Sequence, residues 1–430
     1  MELFNFGGAT AILEHRGVRM LMDPWLDDGI FHGSWVHFPP LGAHVEDVGR
    51  LDYIYISHIH EDHCSLGTLE KLDRNATVLV MGRKPNFVVD FLVRNKLGFK
   101  DIRIIPPRSP VLLRPGLVAD MVEPDPSDAM ASAIDSALVL RWDGHVIFNA
   151  NDCQPHPAMI EYVRSTYGRP DLAMLPYSGG SGYPSCYINL TDEEKCAERD
   201  RIREMRSGAF IDTVKALDPK RVIPFADQYA IAGSRAALNE YVAHPATPAA
   251  MRAPMARAGL ADRLLLVNSG QRFDLETGRH SPEAPYRDYS DEERQAWLDG
   301  INANHRYDHE KFEFASGVPL ERLVRQARGR LWGYQEANHV HPEWMLVLDS
   351  PEMAQVFLLP LGSAEVAAMP RENAVEGPFL RIRAPRTLMI MMLLGHVSWN
   401  IADAALFLDY ERVPNRYDPV VYFLLNLLRV

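Results

Sequence analysis

Four side chains able to bind a metal crowd into six positions of the run Ser57-His58-Ile59-His60-Glu61-Asp62-His63. The preceding Tyr53-Ile54-Tyr55-Ile56 is apolar and β-prone, and reads as a buried strand. On extended backbone alternate side chains share a face, so His58 and His60 can grip one ion together. A turn after His60 then brings Asp62 and His63 to the same space from the opposite side. Imidazole suits zinc, iron and other first-row ions, while carboxylates favour harder ions or bridge two of them. A lone histidine is usually a core or surface residue. Four ligands at this density, at the end of a strand, make a metal site. Asp62 is also the candidate to orient a nucleophile or handle a proton.

A two-metal site needs further ligands. Asn149-Ala150-Asn151-Asp152-Cys153 ends another expected strand, and Asp152 is the natural carboxylate to bridge two ions. His145 begins that same strand, on the order of 20 Å away at ~3.3 Å per residue, which makes it a poor rival. No histidine lies between His63 and His145, so a ligand from that region must be a carboxylate. Glu123, Asp125, Asp128 and Asp135 are available, each also readable as an exposed loop acid, and Asp128 is taken as the candidate. The apolar strand Arg221-Val222-Ile223-Pro224-Phe225 leads to Asp227, a plausible last ligand, although Asp beyond a strand often makes a turn. Such an oxygen-rich set moves preference from zinc toward iron or manganese.

The elements that must position these groups are short strands and helices. Ile12 to Glu14 and Arg19 to Met22 flank a turn at Arg16-Gly17. Leu138 to Trp142 and His145 to Ala150 are joined by Asp143-Gly144, a strong hairpin signal. Thr191 with Glu194 forms a capping box opening a charged helix through Arg206, read as a solvated face. Ser290 with Glu293 repeats it. The Pro-, Glu- and Arg-rich stretch from His280 to Tyr289 has linker character. The chain therefore reads as an α/β unit over residues 1–280, followed by an appended α+β domain over 281–430. The closing apolar segment, Tyr417 to Leu428, is expected to dock on the first unit or on a partner subunit, so a homo-oligomer is possible.

A second cluster suggests a binding pocket. Ser178, Gly179, Gly180, Ser181, Tyr183 and Tyr187 form a Gly- and Ser-rich loop bracketed by aromatics. Its glycines let backbone N–H groups approach an anion, and its tyrosines offer a ring face or a hydroxyl to a substrate. His37, with His32, Trp35 and Phe38, lies in a loop after Asp23-Pro24-Trp25 and is a candidate to face substrate as well, though a packed aromatic cluster fits equally. Composition narrows the partners. The 430 residues carry a net charge of −12, which argues against a nucleic-acid backbone as ligand. No signal peptide is visible, and the greasiest run, Leu388 to Leu394, is too short to cross a bilayer. Four cysteines without a CxxC pair fit a reducing, cytoplasmic setting.

With the residues assembled, the chain resembles the metallo-β-lactamase fold superfamily, whose HxHxDH signature is complete here as His58, His60, Asp62 and His63. That resemblance implies an αββα sandwich with metals at one edge of its two sheets. Two of the superfamily's usual histidines are missing, one before the bridging Asp and one where Pro224-Phe225-Ala226 stands, which is unlike a conventional di-zinc hydrolase. Met22-Asp23-Pro24-Trp25-Leu26, Tyr55-Ile56-Ser57-His58, Val222 to Phe225, Ser181-Gly182-Tyr183-Pro184 and Gly144 to Cys153 are more narrowly similar to the catalytic part of the CMP-N-acetylneuraminate hydroxylase family. That likeness implies one or two iron ions, insertion of oxygen from O2, and electrons delivered by a Rieske cluster. No CxH…CxxH pair occurs in the sequence, so the Rieske module is expected to be absent and a separate reductase or the substrate to supply electrons. The expected function is a non-haem iron oxygenase acting on a small polar or anionic substrate. The alternative is a metallohydrolase using Zn, Mn or Fe to cleave a lactone, phosphoester or amide. A ligand-binding scaffold without turnover is the third possibility.

Overall fold

Both hairpins form as their turn residues dictate. Arg16 and Gly17 (φ 50° and 73°) join Thr10–His15 to Val18–Met22, and Asp143 and Gly144 (φ 48° and 91°) join Ala137–Trp142 to His145–Asn149. Two successive left-handed residues give the turn whose twist matches its strands. The computed structural model describes residues 1–312 and 317–430, apart from the side chains of residues 129 and 130. Within it the hairpins nucleate two sheets. One has eight strands, in the order His280–Ser281, Gln271–Asp274, Glu2–Gly7, Thr10–His15, Val18–Met22, Tyr53–Tyr55, Thr77–Met81 and Asp101–Ile105. The other has six, Arg221–Phe225, Leu172–Pro176, His145–Asn149, Ala137–Trp142, Leu117–Val122 and Val111–Arg114.

The sheets pack face to face. Leu13, Met20 and Leu79 of the first share one core with Met121, Leu140 and Met174 of the second. Helices Leu66–Leu69 and Phe87–Arg94 cover the outer face of the first through Leu69, Val88 and Leu92. Helices Pro157–Tyr167 and Asp192–Leu217 cover the second through Met159, Val163, Phe210 and Val214. The result is a four-layer αββα sandwich. Val18–Met22, Tyr53–Tyr55 and Thr77–Met81 run parallel, as do His145–Asn149, Leu172–Pro176 and Arg221–Phe225. Parallel strands place their carboxyl ends along one edge, the usual location of a site in such sheets.

A five-stranded sheet follows, ordered Ala367–Pro370, Gln355–Pro360, Met345–Asp349, Phe379–Arg383 and Asp409–Val413. Its buried Asp349 is held by Arg371 and Arg383, each 2.9 Å away. Helices Leu320–Asn338, Arg386–Leu393, Trp399–Ala404 and Pro419–Asn426 pack with it. This core does not stop at residue 280. Trp25, Phe31, Trp35, Tyr187 and Tyr229 belong to the same cluster as Leu346, Leu380, Met389 and Trp399. Ser34 Oγ donates to the carbonyl of Ala405 (2.7 Å), Trp35 Nε1 to that of Ala404 (2.9 Å), and Arg235 pairs with Asp409 (2.8 Å). The closing helix Pro419–Asn426 buries Val421, Leu424 and Leu425 in this shared core, and Tyr422 meets Tyr187 hydroxyl to hydroxyl. Among the described residues no helix is long and apolar enough to cross a membrane.

Candidate metal centre

The strand Tyr53–Tyr55 delivers its carboxyl end directly into the histidine run. Tyr55 is buried, and its hydroxyl donates to the carbonyl of Ser136 (2.8 Å), which pins the strand end against the second sheet. His58 and His63 are fully buried, and each has one ring nitrogen held from behind. Nδ1 of His58 lies 2.9 Å from Ser57 Oγ, and Nδ1 of His63 lies 3.0 Å from Asp23 Oδ2. Asp23 also accepts from the Ser57 amide (2.7 Å), so one carboxylate fixes both the loop and the ring. Holding Nδ1 in this way aims Nε2 at the common space, where its lone pair becomes available to an ion once the ring proton is lost.

Four further groups meet there. His60 Nδ1 lies 3.0 Å from His58 Nε2, Asp62 Oδ2 lies 3.3 Å from His63 Nε2, and Asp152 reaches His63 Nε2 at 3.3 Å and His58 Nε2 at 3.9 Å. His58, His63 and Asp152 each offer a donor atom within 4.8 Å of the other two. Glu61, inside the same run, turns away to accept from the Phe31 amide (2.6 Å). The fourth is Asp135, whose Oδ1 lies 3.9 Å from His58 Nε2. It follows helix Ala129–Ile134 directly, whereas Asp128 precedes that helix, is exposed, and accepts from the Ala131 amide (3.0 Å). The acid brought to the cluster from this segment is therefore Asp135 rather than Asp128, because the helix turns its far end inward.

The electrostatics are those of a cation site. Burial works against the charge of His63, yet Asp152, Asp62 and Asp23 together hold its ring protonated well above the usual imidazole range. Burial, then Asp152, raises Asp135 well above the carboxylate range. Burial likewise resists ionisation of Asp152, but the charge and hydrogen bond of His63, with the charges of His60 and Arg206, together keep that carboxyl below its usual range. Asp135 Oδ1 is buried without a hydrogen-bond partner among the described residues, while His63 Nε2 and Asp152 Oδ1 face each other at 3.3 Å. Buried polar atoms so sparsely partnered are costly, and a metal ion shared by His58, His63 and Asp152 would satisfy them. The mixed nitrogen and oxygen set fits zinc, iron or manganese.

Asp227 stands beside the cluster. Ala226 and Asp227 both adopt left-handed backbone (φ 66° and 54°) at the end of Arg221–Phe225, which turns the side chain inward. Burial, then the nearby Asp152, pushes its carboxyl up to about 7. It lies outside the group of donors within 4.8 Å of one another.

Two packed β-sheets, with an HxHxDH run leaving one and a strand-ending aspartate leaving the other, decide the architecture. The chain has the metallo-β-lactamase fold.

No family model matches the sequence. Among curated proteins the chain is 27% identical over 223 residues to the cytidine monophosphate-N-acetylneuraminic acid hydroxylase of Danio rerio, covering 49% of this chain and 35% of that protein. It is 31% identical over 193 residues to a protein of Mycolicibacterium smegmatis named for a Rieske 2Fe-2S iron–sulfur centre, covering 44% and 36%. The matched stretch thus spans about a third of the length of these relatives. Among solved structures, an isothiocyanate hydrolase from Delia radicum gut bacteria aligns with 64% of this chain and 98% of its own, at 18% identity and a TM-score of 0.43. The diiron β-hydroxylase CmlA from Streptomyces venezuelae aligns over 63% and 53%, at 18% identity and a TM-score of 0.44.

A cleft of about 560 Å³ opens beside the metal residues of this fold. Gly179, Gly180, Ser181, Tyr183 and Tyr187 line it, while Ser178 is buried at the root of the loop. Its opposite wall comes from the last part of the chain: Trp399, Asn400, Asp403, Arg412, Tyr417 and Tyr422. Asn400 Oδ1 lies 2.8 Å from His60 Nε2, so this wall of the cleft adjoins the cluster. The capped helix Asp192–Leu217 keeps the expected solvated face through Arg206, and there Arg201, Ile202, Met205 and Arg206 line the same cleft. His37 does not face it. It is 1% exposed on strand Trp35–His37, stacked on Trp25 (3.7 Å between ring centres) and held by Asp28 at 2.9 Å, so its place is structural. Sequence reasoning missed Asn400, Arg206 and Arg412 as cleft residues.

Proposed function

We propose that the chain is a metal-dependent enzyme, a non-haem iron oxygenase acting on a small anionic molecule. His58, His60, Asp62, His63 and Asp152 would hold one or two ions. The observation that carries this reading is the acid-rich surround: Asp135 and Asp227 stand beside the cluster, in the regions where the superfamily's usual histidines are missing. Additional carboxylates favour iron or manganese over zinc. Similarity to the hydroxylases over about half of the chain supports the same reading. Bound iron would supply activation of O2, with electrons from a separate reductase or from the substrate.

The chain's own residues do the rest. Asp23 and Ser57 orient the ligand rings, the cleft positions the substrate against the cluster, and its tyrosines exclude water around the reacting group. Asp62, at the edge of the cluster, holds or moves a proton. A second reading, a metallohydrolase, is favoured by that same Asp62, which lies 3.3 Å from His63 Nε2, where a carboxylate can orient an attacking water.

The test is metal analysis of protein from iron-supplemented cells, combined with O2 uptake across a panel of carboxylates and phosphate esters. Near-stoichiometric iron with an O2-dependent product is expected. Zinc alone, with anaerobic cleavage of lactones or esters, would replace this reading with the second.

A further inference from the structure

The cleft contains a buried positive charge with no acid within ion-pair distance among the described residues, although Glu198 feels its charge. Arg412 is 4% exposed, at strand Asp409–Val413. Its guanidinium donates to Asn415 Oδ1 from Nε (3.2 Å) and Nη2 (2.7 Å), and to the Tyr422 hydroxyl from Nη1 (3.1 Å). It lies over the rings of Tyr187 (4.8 Å) and Tyr183 (5.0 Å). All these partners are neutral, and no ion pair within 4.0 Å forms at Arg412 among the described residues. Buried Arg328, in the same part of the chain, is likewise held by neutral acceptors (Gln335 Oε1 at 2.8 Å and the Pro360 carbonyl at 2.9 Å), whereas Arg412 lines the cleft. Burying a cation is costly unless a counter-charge accompanies it.

The acids that share the cleft are otherwise engaged. Glu198 is taken by Arg201 at 2.8 Å and by the Tyr183 hydroxyl at 2.9 Å. Asp403 is half-buried against the loop at Gly182, and loss of water around it pushes its carboxyl up to about 6. A second unmatched arginine stands opposite. Arg206 forms no ion pair within 4.0 Å among the described residues, and its Nε is buried with no hydrogen bond. It crosses the loop so closely that a Cβ at Gly179 would sit 3.2 Å from its Nη2. It lines the same cleft as Arg412, and its charge is also felt at Asp152 and Asp227.

We propose that Arg412, with Arg206 across the cleft, is the binding site for an oxyanion of the substrate, a carboxylate or phosphate group. Guanidinium offers planar, paired donors to such groups. Tyr183 and Tyr187, which flank Arg412, receive the body of the molecule, and the cleft volume suits a small ligand. Asn400 marks the end nearest His60, so an oxyanion on Arg412 leaves the far end of the ligand directed at the metal cluster. The C-terminal part of the chain thereby sets what the centre acts on. This deepens the function proposed above and rests on the cleft being its substrate site.

The test is equilibrium binding to the full chain stripped of metal by chelation, so that its outcome is independent of which metal serves and of turnover. Inorganic phosphate and acetate are titrated separately by calorimetry at constant low ionic strength. Saturable binding of either is expected, and which of the two binds assigns the group as phosphate or carboxylate. Arg412→Gln and Arg206→Gln should each weaken binding at least tenfold, with Arg412→Lys intermediate and Arg141→Gln, on an exposed strand position, unchanged. Circular dichroism establishes that each variant is folded. Should Arg412→Gln fail to fold, Arg206→Gln and Arg412→Lys carry the decision. Absence of saturable binding to the unsubstituted chain, or undiminished binding in folded Arg206 and Arg412 variants, overturns the proposal. Zinc in place of iron would leave it standing.

Discussion

Asp23 illustrates how much of a metal centre lies behind its ligands. It is fully buried, accepts from the Ser57 amide and holds His63 Nδ1 at 3.0 Å. Replacing it with Ala leaves every ligand in place but frees the His63 ring. Metal affinity should fall by about ten- to a hundredfold, read as metal retained after dialysis against a chelator series, whereas His60→Ala should abolish loading. Asp403 supplies a second residue-scale prediction. Burial raises its carboxyl from 3.8 to about 6, so the folded chain binds that proton more tightly than the unfolded chain. Its contribution to stability is complete below pH 3.8 and is lost as pH rises through 6, at most on the order of 3 kcal/mol. Asp403→Asn should flatten the fall in Tm between pH 4 and 6; a slope identical to that of the unsubstituted protein would contradict this assignment. At this scale the ligands were legible because they crowd together in sequence. Asp128 and Asp135 were not separable, since two acids flank one short helix and only its direction of entry buries the second.

At the level of elements, the helix Asp192–Leu217 is opened by Thr191, whose hydroxyl accepts from the Glu194 amide (3.2 Å) while Glu194 returns to the Thr191 amide (2.7 Å). Thr191→Ala should cost about 1 kcal/mol of stability in urea titration, with metal content unchanged, because the cap lies about four turns before Arg206 on this helix. The hairpins and this cap were readable because turns and caps are local chemistry. That its solvated face also lines the cleft was not. The charged sequence suits solvent and a polar cleft equally, and only the C-terminal wall makes the cleft. His37 was misplaced for a related reason: Trp35–His37 pairs with Tyr229–Ile231, a contact across almost two hundred positions that no local pattern signals.

For the molecule as a whole, the shared core makes the two halves one cooperative unit. Trp35, Tyr229 and Trp399 are buried in a single cluster, and each large side chain so buried contributes about 2 kcal/mol. Calorimetry should therefore find one transition, with calorimetric and van 't Hoff enthalpies equal. Arg235→Ala, which removes the pairing with Asp409 and the hydrogen bond to the Leu406 carbonyl, should lower that transition rather than split it. A separate melting step for residues beyond 280 would show the halves to be independent. The sandwich was visible in the sequence because its signature and strands are contiguous. The cleft was not, since its two walls are separated by some two hundred residues and carry no joint motif.

The contact between Asn400 and His60 has a consequence in time. During synthesis, His58 through Asp152 emerge from the ribosome well before Trp399 through Asn426. Because the two halves share one core, the wall that carries Asn400 closes only after the last part of the chain has emerged, and His60 gains that partner at 2.8 Å only then.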